Sequence, residues 1–375
     1  MSVSKKRDPP NEFIDVLRFI SIMLVLIHHF NIPYKLSDTW ITFSILDHSF
    51  ITLLARNGNY GVTMFFVISG YLITFHALQR WKELKNIDYK VFYLLRCARI
   101  IPTLFLLVIV VNILGMFGLK PFITQTSHEL PMIQSLVNLA ALTFWMNILI
   151  IHEGWVNYAL GVLWSLSVEE VFYVIFPLLA ICLKKEYFFY VVCLVVIGIC
   201  PYFRALTITD ENGAYLYHYL SSIDGIAFGC LTALISRRVS ITKNSHYFKY
   251  VMMMCLILIY FSGPIRETCV WGVSAFSLCS SVLILTSVSH PIPVQDNLIS
   301  RVIKRIGRNS YEIYLFHLVI LGLIKVVYLP QETSGNIKLL LLLTYLVVTF
   351  LFSFYIEKFF SHPINYKIRK RLIEK

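Results

Sequence analysis

Apolar runs of roughly 17 residues or more, each close to the length an α-helix needs to cross the ~30 Å hydrocarbon core of a bilayer, recur from one end of this 375-residue chain to the other. They cover 13–30, 61–78, 100–117, 165–183, 187–203, 218–236, 249–264, 270–288, 310–328 and 337–357. An eleventh stretch, 133–151, is apolar but interrupted by Asn138, Thr143 and Asn147. The pattern predicts an all-α, polytopic membrane helix bundle of about ten transmembrane helices. Residues 1–375 are expected to form a single integral-membrane domain with no appended soluble domain, no internal repeat and no low-complexity linker.

Composition sharpens this picture. The chain is 57% hydrophobic and 14% charged, against about 25% charged in a typical soluble domain. A net charge of +12 is then expected from basic residues gathered in cytoplasmic loops. No basic, aromatic-interleaved surface of the kind that binds nucleic acid is visible. Lys5, Lys6 and Arg7 put the N-terminus in the cytoplasm, and Arg80, Lys82, Lys85, Lys90, Arg96 and Arg99 do the same for the loop 79–99. A full crossing by 133–151 would place Lys184, Lys185, Arg237, Arg238, Lys304 and Arg305 outside, inverting the rule for the second half. That stretch is therefore predicted to be a re-entrant or surface-lying helix on the outer side, with both termini cytoplasmic. The basic start "MSVSKKRDPPNEF" is followed by no small-x-small cleavage site and reads as the lead into an uncleaved first span. The eight cysteines show no C-x-x-C spacing and read as buried reduced thiols, and no metal-ligand set is expected.

A few ionisable residues interrupt the oil. Arg18 and His29 are eleven residues apart, close to three helical turns, so they share one face about 16 Å apart along the axis. Asp15 lies one turn before Arg18 and can pair with it. The two basic residues are either interfacial anchors or groups facing a protein-lined cavity. In the second span Gly58, Gly61, Ser69 and Gly70 let a helix or a ligand approach the backbone closely. Arg96 and Arg99, one turn apart before Pro102, fit either positive-inside anchoring or bidentate binding of phosphate. The stretch "LWSLSVEEVFYVIFPLL" puts Glu169 and Glu170 in an apolar helix, with Trp164 and Ser167 before them and Tyr173 one turn after. Intramembrane carboxylates are costly and default to function; an N-terminal cap at Ser165 or Ser167 accounts for one of them at most. "SYEIYLFH" places Tyr311, Tyr314 and His317 in the ninth run, and Glu357 near the end of the tenth is expected to pair with a neighbouring base such as Lys358.

Taken in order, Arg18-x10-His29, "GVTMFFVISGYLI", Arg96-x-x-Arg99 with Pro102, "WSLSVEEVFYVIFP", "SYEIYLFH" and the closing Ser353…Glu357 resemble the membrane-bound acyltransferase type-three family, whose members include bacterial surface-glycan O-acetyltransferases. The family pattern carries Arg18, His29, Arg96, Arg99 and Glu169 as functional positions, with His317 beside them. The resemblance implies acetyl-CoA as acyl donor, no metal, and a glycan or lipid-linked glycan such as O-antigen as acceptor, in the bacterial inner membrane. With the residues read above, His29, Glu169 and Arg18 are expected in catalysis, Glu169 orienting an imidazole. Arg96, Arg99, Ser69 and Gly70 are expected on the acyl-CoA, and Trp164, Tyr173, Tyr314 and His317 on the acceptor. Membrane lipids are further partners, and a second copy or a partner protein is left open. The rival expectations are a glycan-lipid transporter or flippase using the same buried charges as a path, or transfer of succinyl or another acyl group.

Overall fold

The computed structural model describes residues 12–39, 48–125, 133–239, 245–289 and 296–373, and among these no strand occurs. In chain order the helices are α1 Glu12–Asn31, α2 His48–Arg56, α3 Asn59–Trp81, α4 Tyr89–Met116, α5 Gln134–Leu142, α6 Met146–Glu153, α7 Trp164–Cys182, α8 Glu186–Thr207, α9 Tyr219–Ile235, α10 Ser245–Phe261, α11 Ile265–Ser289, α12 Leu298–Arg308, α13 Ser310–Val327, α14 Gly335–Ile356 and α15 His362–Ile373. Nine of the described segments are long and apolar enough to cross a membrane. The one remaining expected span, 249–264, corresponds to α10, a 17-residue helix at the lower edge of spanning length.

The stretch 133–151 is not one helix. It divides into α5, nine residues long, and α6, eight residues long, either of which covers only about 12–14 Å. Between them Phe144 adopts φ +63°, a conformation that ends a helix and that a bulky residue rarely tolerates. An amide ladder holds α5 against α4: Asn112 Nδ2 donates to Asn138 Oδ1 at 3.0 Å, Asn138 Nδ2 returns the bond to Asn112 Oδ1 at 2.9 Å, and Gln134 Nε2 donates to Asn138 Oδ1 at 3.0 Å. The asparagine that interrupts the apolar pattern thus docks the broken segment on a neighbouring span.

The bundle closes around α3, the most enclosed of the nine segments. Its tightest crossing is with α9. A Cβ built on Gly70 would lie 2.0 Å from the Ile226 carbonyl oxygen, and one on Gly229 would lie 2.1 Å from that of Val67. Without an aqueous driving force between membrane helices, such close backbone approach supplies the dispersion contacts that hold them. Helix α1 is gripped at two levels in the same way, by Gly61 of α3 against the Ser21 carbonyl and by Gly307 of α12 against that of Asp15.

A fully buried ion pair joins α8 to α9. Arg204 Nη2 meets Asp224 Oδ2 at 3.0 Å, both side chains being inaccessible to solvent. The guanidinium also donates to the Ser221 carbonyl at 2.6 Å and the Val270 carbonyl at 3.1 Å, and Ser274 Oγ donates to Asp224 Oδ2 at 2.6 Å. At the other end of the chain, α14 runs into a π-helical turn, Glu357–Ser361, and then α15. Glu357 pairs with Arg305 at 2.7 Å, not with Lys358 as expected; Lys358 lies over the Phe354 and Phe359 rings. A charged neighbour in sequence points to a different face, whereas α12 brings Arg305 across the bundle.

Candidate active site

Two ends of one helix face organise the site. Helix α1 presents His29 near its C-terminal end and Arg18 in its second turn, and each meets polar groups delivered by other helices.

At the first end His29 lies against His317 of α13. His317 Nε2 is 3.3 Å from His29 Nδ1, and the ring centroids are 4.9 Å apart. The tautomers follow from the carbonyls, which only accept hydrogen bonds. His317 Nδ1 is 2.6 Å from the Tyr314 carbonyl, so it carries the proton and leaves Nε2 as a lone pair. His29 Nδ1 is 2.9 Å from the Val25 carbonyl, so it too carries a proton, shared with the His317 lone pair. The unshielded lone pair of the arrangement is then Nε2 of His29. His317 is completely buried whereas His29 is half-buried, so the ring with the free nitrogen is also the accessible one.

From His317 the polar groups continue along the bundle. The Tyr314 ring lies 5.6 Å from the His317 ring. Its hydroxyl donates to the Val162 carbonyl at 2.9 Å and, with that proton committed, accepts from Ser165 Oγ at 2.6 Å. One turn further on α7, Glu169 accepts hydrogen bonds from Ser69 of α3 and Tyr173 of α7, whose hydroxyls are 3.0 Å apart. Arg96 of α4 lies over the Tyr173 ring at 5.2 Å, a cation–π contact that orients the guanidinium without neutralising it.

Arg18 reaches this second end from α1. It pairs loosely with Asp15 at 3.7 Å and interacts electrostatically with Arg99, Tyr173 and Glu169. Asp15 is shared, with Arg308 of α12 at 3.8 Å from its other oxygen. Arg96 and Arg99 close no ion pair within 4 Å among the described residues. Cationic groups so gathered are a ready anion site.

The structure thus brings together Arg18, His29, Ser69, Arg96, Arg99, Glu169, Tyr173, Tyr314 and His317 from α1, α3, α4, α7 and α13. It changes three expected roles. Glu169 does not orient an imidazole: its partners are Ser69 and Tyr173, and the group beside His29 is His317. Gly70 faces away from Ser69's side of α3 and is filled by the backbone of α9. Trp164 is buried edge-on against Phe66 at 6.4 Å and Tyr217 at 5.2 Å, and packs rather than lining the strip. Ser165 joins the strip although spacing singled it out only as a cap. It sits four residues before Glu169, on the same helix face, which was the available signal. Glu170, buried beside it, has an oxygen with no hydrogen-bond partner in the protein. Among the described residues no group of three or more His, Cys, Asp or Glu side chains forms a metal site.

Known proteins give this geometry a context. A protein of Staphylococcus aureus (strain COL), whose name proposes O-acetyl transfer, is 25% identical over 345 residues, covering 85% of this chain and 52% of the relative. Peptidoglycan O-acetyltransferase OatA of Listeria monocytogenes is 24% identical over 332 residues, covering 83% of this chain and 49% of its own. A Bacillus subtilis protein whose name proposes peptidoglycan O-acetyl transfer is 24% identical over 347 residues, covering 86% and 50%. The chain spans about half the length of these curated relatives. No solved structure matches it. A family model described as an acyltransferase domain matches residues 11–358, a range that holds every residue of the polar strip, and the chain accordingly belongs to that acyltransferase family.

Proposed function

We propose that this protein transfers an acetyl group from acetyl-CoA, bound at the arginine end of the strip, to a hydroxyl of a bacterial surface glycan that reaches the histidine end. The positive-inside reading puts the arginine end in the cytoplasm, where the coenzyme is, and the histidine end at the outer face of the inner membrane. The observation that supports this most is the continuity of the strip: an arginine cluster, in which Arg96 and Arg99 close no contact ion pair among the described residues, and an imidazole pair lie at its ends, with Glu169, Ser165 and Tyr314 between them. Only the acetyl group is left with the acceptor, since the coenzyme's thioester end reaches His29 along the strip while its phosphates stay at the arginine end.

The chemistry follows from the tautomers. A glycan hydroxyl is a poor nucleophile at neutral pH and needs a positioned base. His29 Nε2 takes the hydroxyl proton as the oxygen attacks the thioester carbonyl. The tetrahedral intermediate collapses by breaking the carbon–sulfur bond, and the imidazolium returns its proton to the leaving thiolate. During the step the His317 lone pair accepts from His29 Nδ1–H and stabilises the positive ring, while the Val25 carbonyl holds its orientation. Arg96 and Arg99 hold phosphate oxygens, and Arg18, beside Glu169, lines the passage between donor and base.

Purified protein in proteoliposomes, given radiolabelled acetyl-CoA and, in separate arms, peptidoglycan fragments or O-antigen saccharide, is expected to yield an acetyl ester on one of them. Movement of a glycan lipid across the vesicle membrane with no acetyl transfer in any arm would replace the enzyme with a transporter. Labelling from succinyl-CoA in place of acetyl-CoA would change the acyl group.

A further inference from the structure

The family match ends at residue 358, before α15. That helix reads as "HPINYKIRKRLI", a basic segment following the last span. Its placement is set by the π-helical turn and by one bond across the bundle, Ser361 Oγ to Thr103 Oγ1 of α4 at 3.0 Å. Helices α15 and α4 pack together, and the interactions of Arg369 with Arg99 and Arg96 set α15 running from this bond toward the N-terminal end of α4. Counting along α4 toward its N-terminus, Arg99 lies one turn below Thr103, and Arg96 two turns, about 10 Å. Counting forward along α15, Asn365 lies one turn beyond Ser361, and Arg369 two turns, about 12 Å. Arg369 therefore arrives at the level of Arg96. Arg80, near the end of α3, is a third arginine whose charge acts on Arg369.

Two further observations point to a ligand between these helices. None of Arg80, Arg96, Arg99 and Arg369 closes an ion pair within 4 Å among the described residues, so no carboxylate there is in contact with these guanidiniums, and Glu169 and Glu170 act on Arg96 only at longer range. Asn365, on the same face as Arg369 at a spacing of four, has a buried side-chain oxygen with no partner. Repelling guanidiniums brought to one seam beside an unused polar group call for an anion with several phosphates.

We propose that α15 completes the donor site and that Arg369 binds the phosphate of the coenzyme farthest from its thioester, the ribose 3′-phosphate. The inference rests on the acyl-CoA reading above. With the thioester directed to His29 and Arg18 nearest Glu169, the far end of the nucleotide falls where α15 meets α4. The same phosphate chemistry is offered by an anionic lipid headgroup, so the test separates the two sources.

The full chain is reconstituted in nanodiscs of zwitterionic lipid, with and without anionic lipid, and binding of CoA and of 3′-dephospho-CoA is measured by calorimetry. Arg369→Gln is expected to weaken CoA about tenfold, or ~1.4 kcal/mol, in both lipids, and to leave 3′-dephospho-CoA unchanged; Arg369→Lys is expected to recover part of the loss. Equal weakening of both ligands, or of neither, overturns the assignment. An effect confined to discs with anionic lipid overturns it in favour of a headgroup. The paired variant Arg96→Gln with Arg99→Gln serves as reference. If it weakens CoA while Arg369→Gln does not, only the role of α15 fails; if it too leaves CoA binding unchanged, the acyl-CoA reading itself fails.

Discussion

The Arg204–Asp224 pair and the polar strip of the candidate site both bury charge in this bundle, and they are built to opposite specifications. The Arg204–Asp224 pair, between α8 and α9, is inaccessible and saturated: the guanidinium has the carboxylate, a serine hydroxyl and two backbone carbonyls as partners. The strip from Arg96 to His29 is partly accessible and unsaturated. Arg96 and Arg99 close no ion pair within 4 Å among the described residues, and His29 has a nitrogen with a free lone pair. A charge within the membrane is costly wherever it sits. What separates fastening from chemistry is whether anything is left over to bind a ligand. The first set pins helices; the second leaves groups unused that suit an anion and a proton.

The sharpest break in that comparison is His29→Ala. A general base contributes typically 10²–10⁴ in rate, so acetyl transfer is expected to fall by at least ~10² while the protein still inserts and purifies as the parent does. An initial-rate assay on purified protein measures it, and near-parental turnover would remove His29 as the base.

Asp224→Asn should do the reverse. Breaking one side of a buried pair leaves an uncompensated charge and costs about 3–5 kcal/mol. Thermal unfolding in detergent is expected to shift down steeply, with activity per folded molecule retained. Replacing both partners, Arg204→Met with Asp224→Leu, is expected to restore most of that stability, because apolar substitutes remove the desolvation cost along with the attraction. If the double replacement unfolds as early as the single, or loses activity while folded, the pair is more than a fastening.

How much of this was readable beforehand differs between the two regions for a physical reason. Helix periodicity is local, so the spans, the shared face of Arg18 and His29, and the adjacency of Glu169 and Tyr173 follow from counting residues. The break at Phe144 was signalled by the polar residues around it, though not its geometry. Partners across the bundle are not local. Arg204 and Asp224 are twenty residues apart on different helices, and nothing in their spacing announces the pair. His317 as the neighbour of His29, Arg305 as that of Glu357, and α9 as the occupant of Gly70's open side each depend on which faces meet. Gly70 was read as open to either a ligand or a helix, and only the packing decides for the helix. The basic tail reads as positive-inside anchoring until α15 is seen to fold back onto α4.

The smallest effect is expected where the two specifications meet, at the adjacent carboxylates of α7. Glu169 accepts from two hydroxyls and lies within the field of Arg18 and Arg96. Its neighbour is directed to a different side of the helix, since consecutive residues do not share a face, and is buried with an oxygen that nothing in the protein satisfies. Glu169→Gln keeps an acceptor for Ser69 and Tyr173 but removes the negative charge that balances the guanidiniums, so transfer is expected to fall at least about tenfold, a loss of ~1.4 kcal/mol in transition-state stabilisation. Glu170→Gln keeps the shape and removes only a charge that is expensive to bury unpaired. Its thermal stability is expected to be unchanged or raised by up to ~1 kcal/mol, the scale of one unsatisfied polar group, and its acetyl transfer to stay within about twofold of the parent, a barrier change of ~0.4 kcal/mol. Side-by-side rates and unfolding temperatures for the two variants decide it. Should Glu170→Gln lose activity as deeply as Glu169→Gln, the unsatisfied oxygen belongs to the chemistry, and the strip is one carboxylate wider than its hydrogen bonds show.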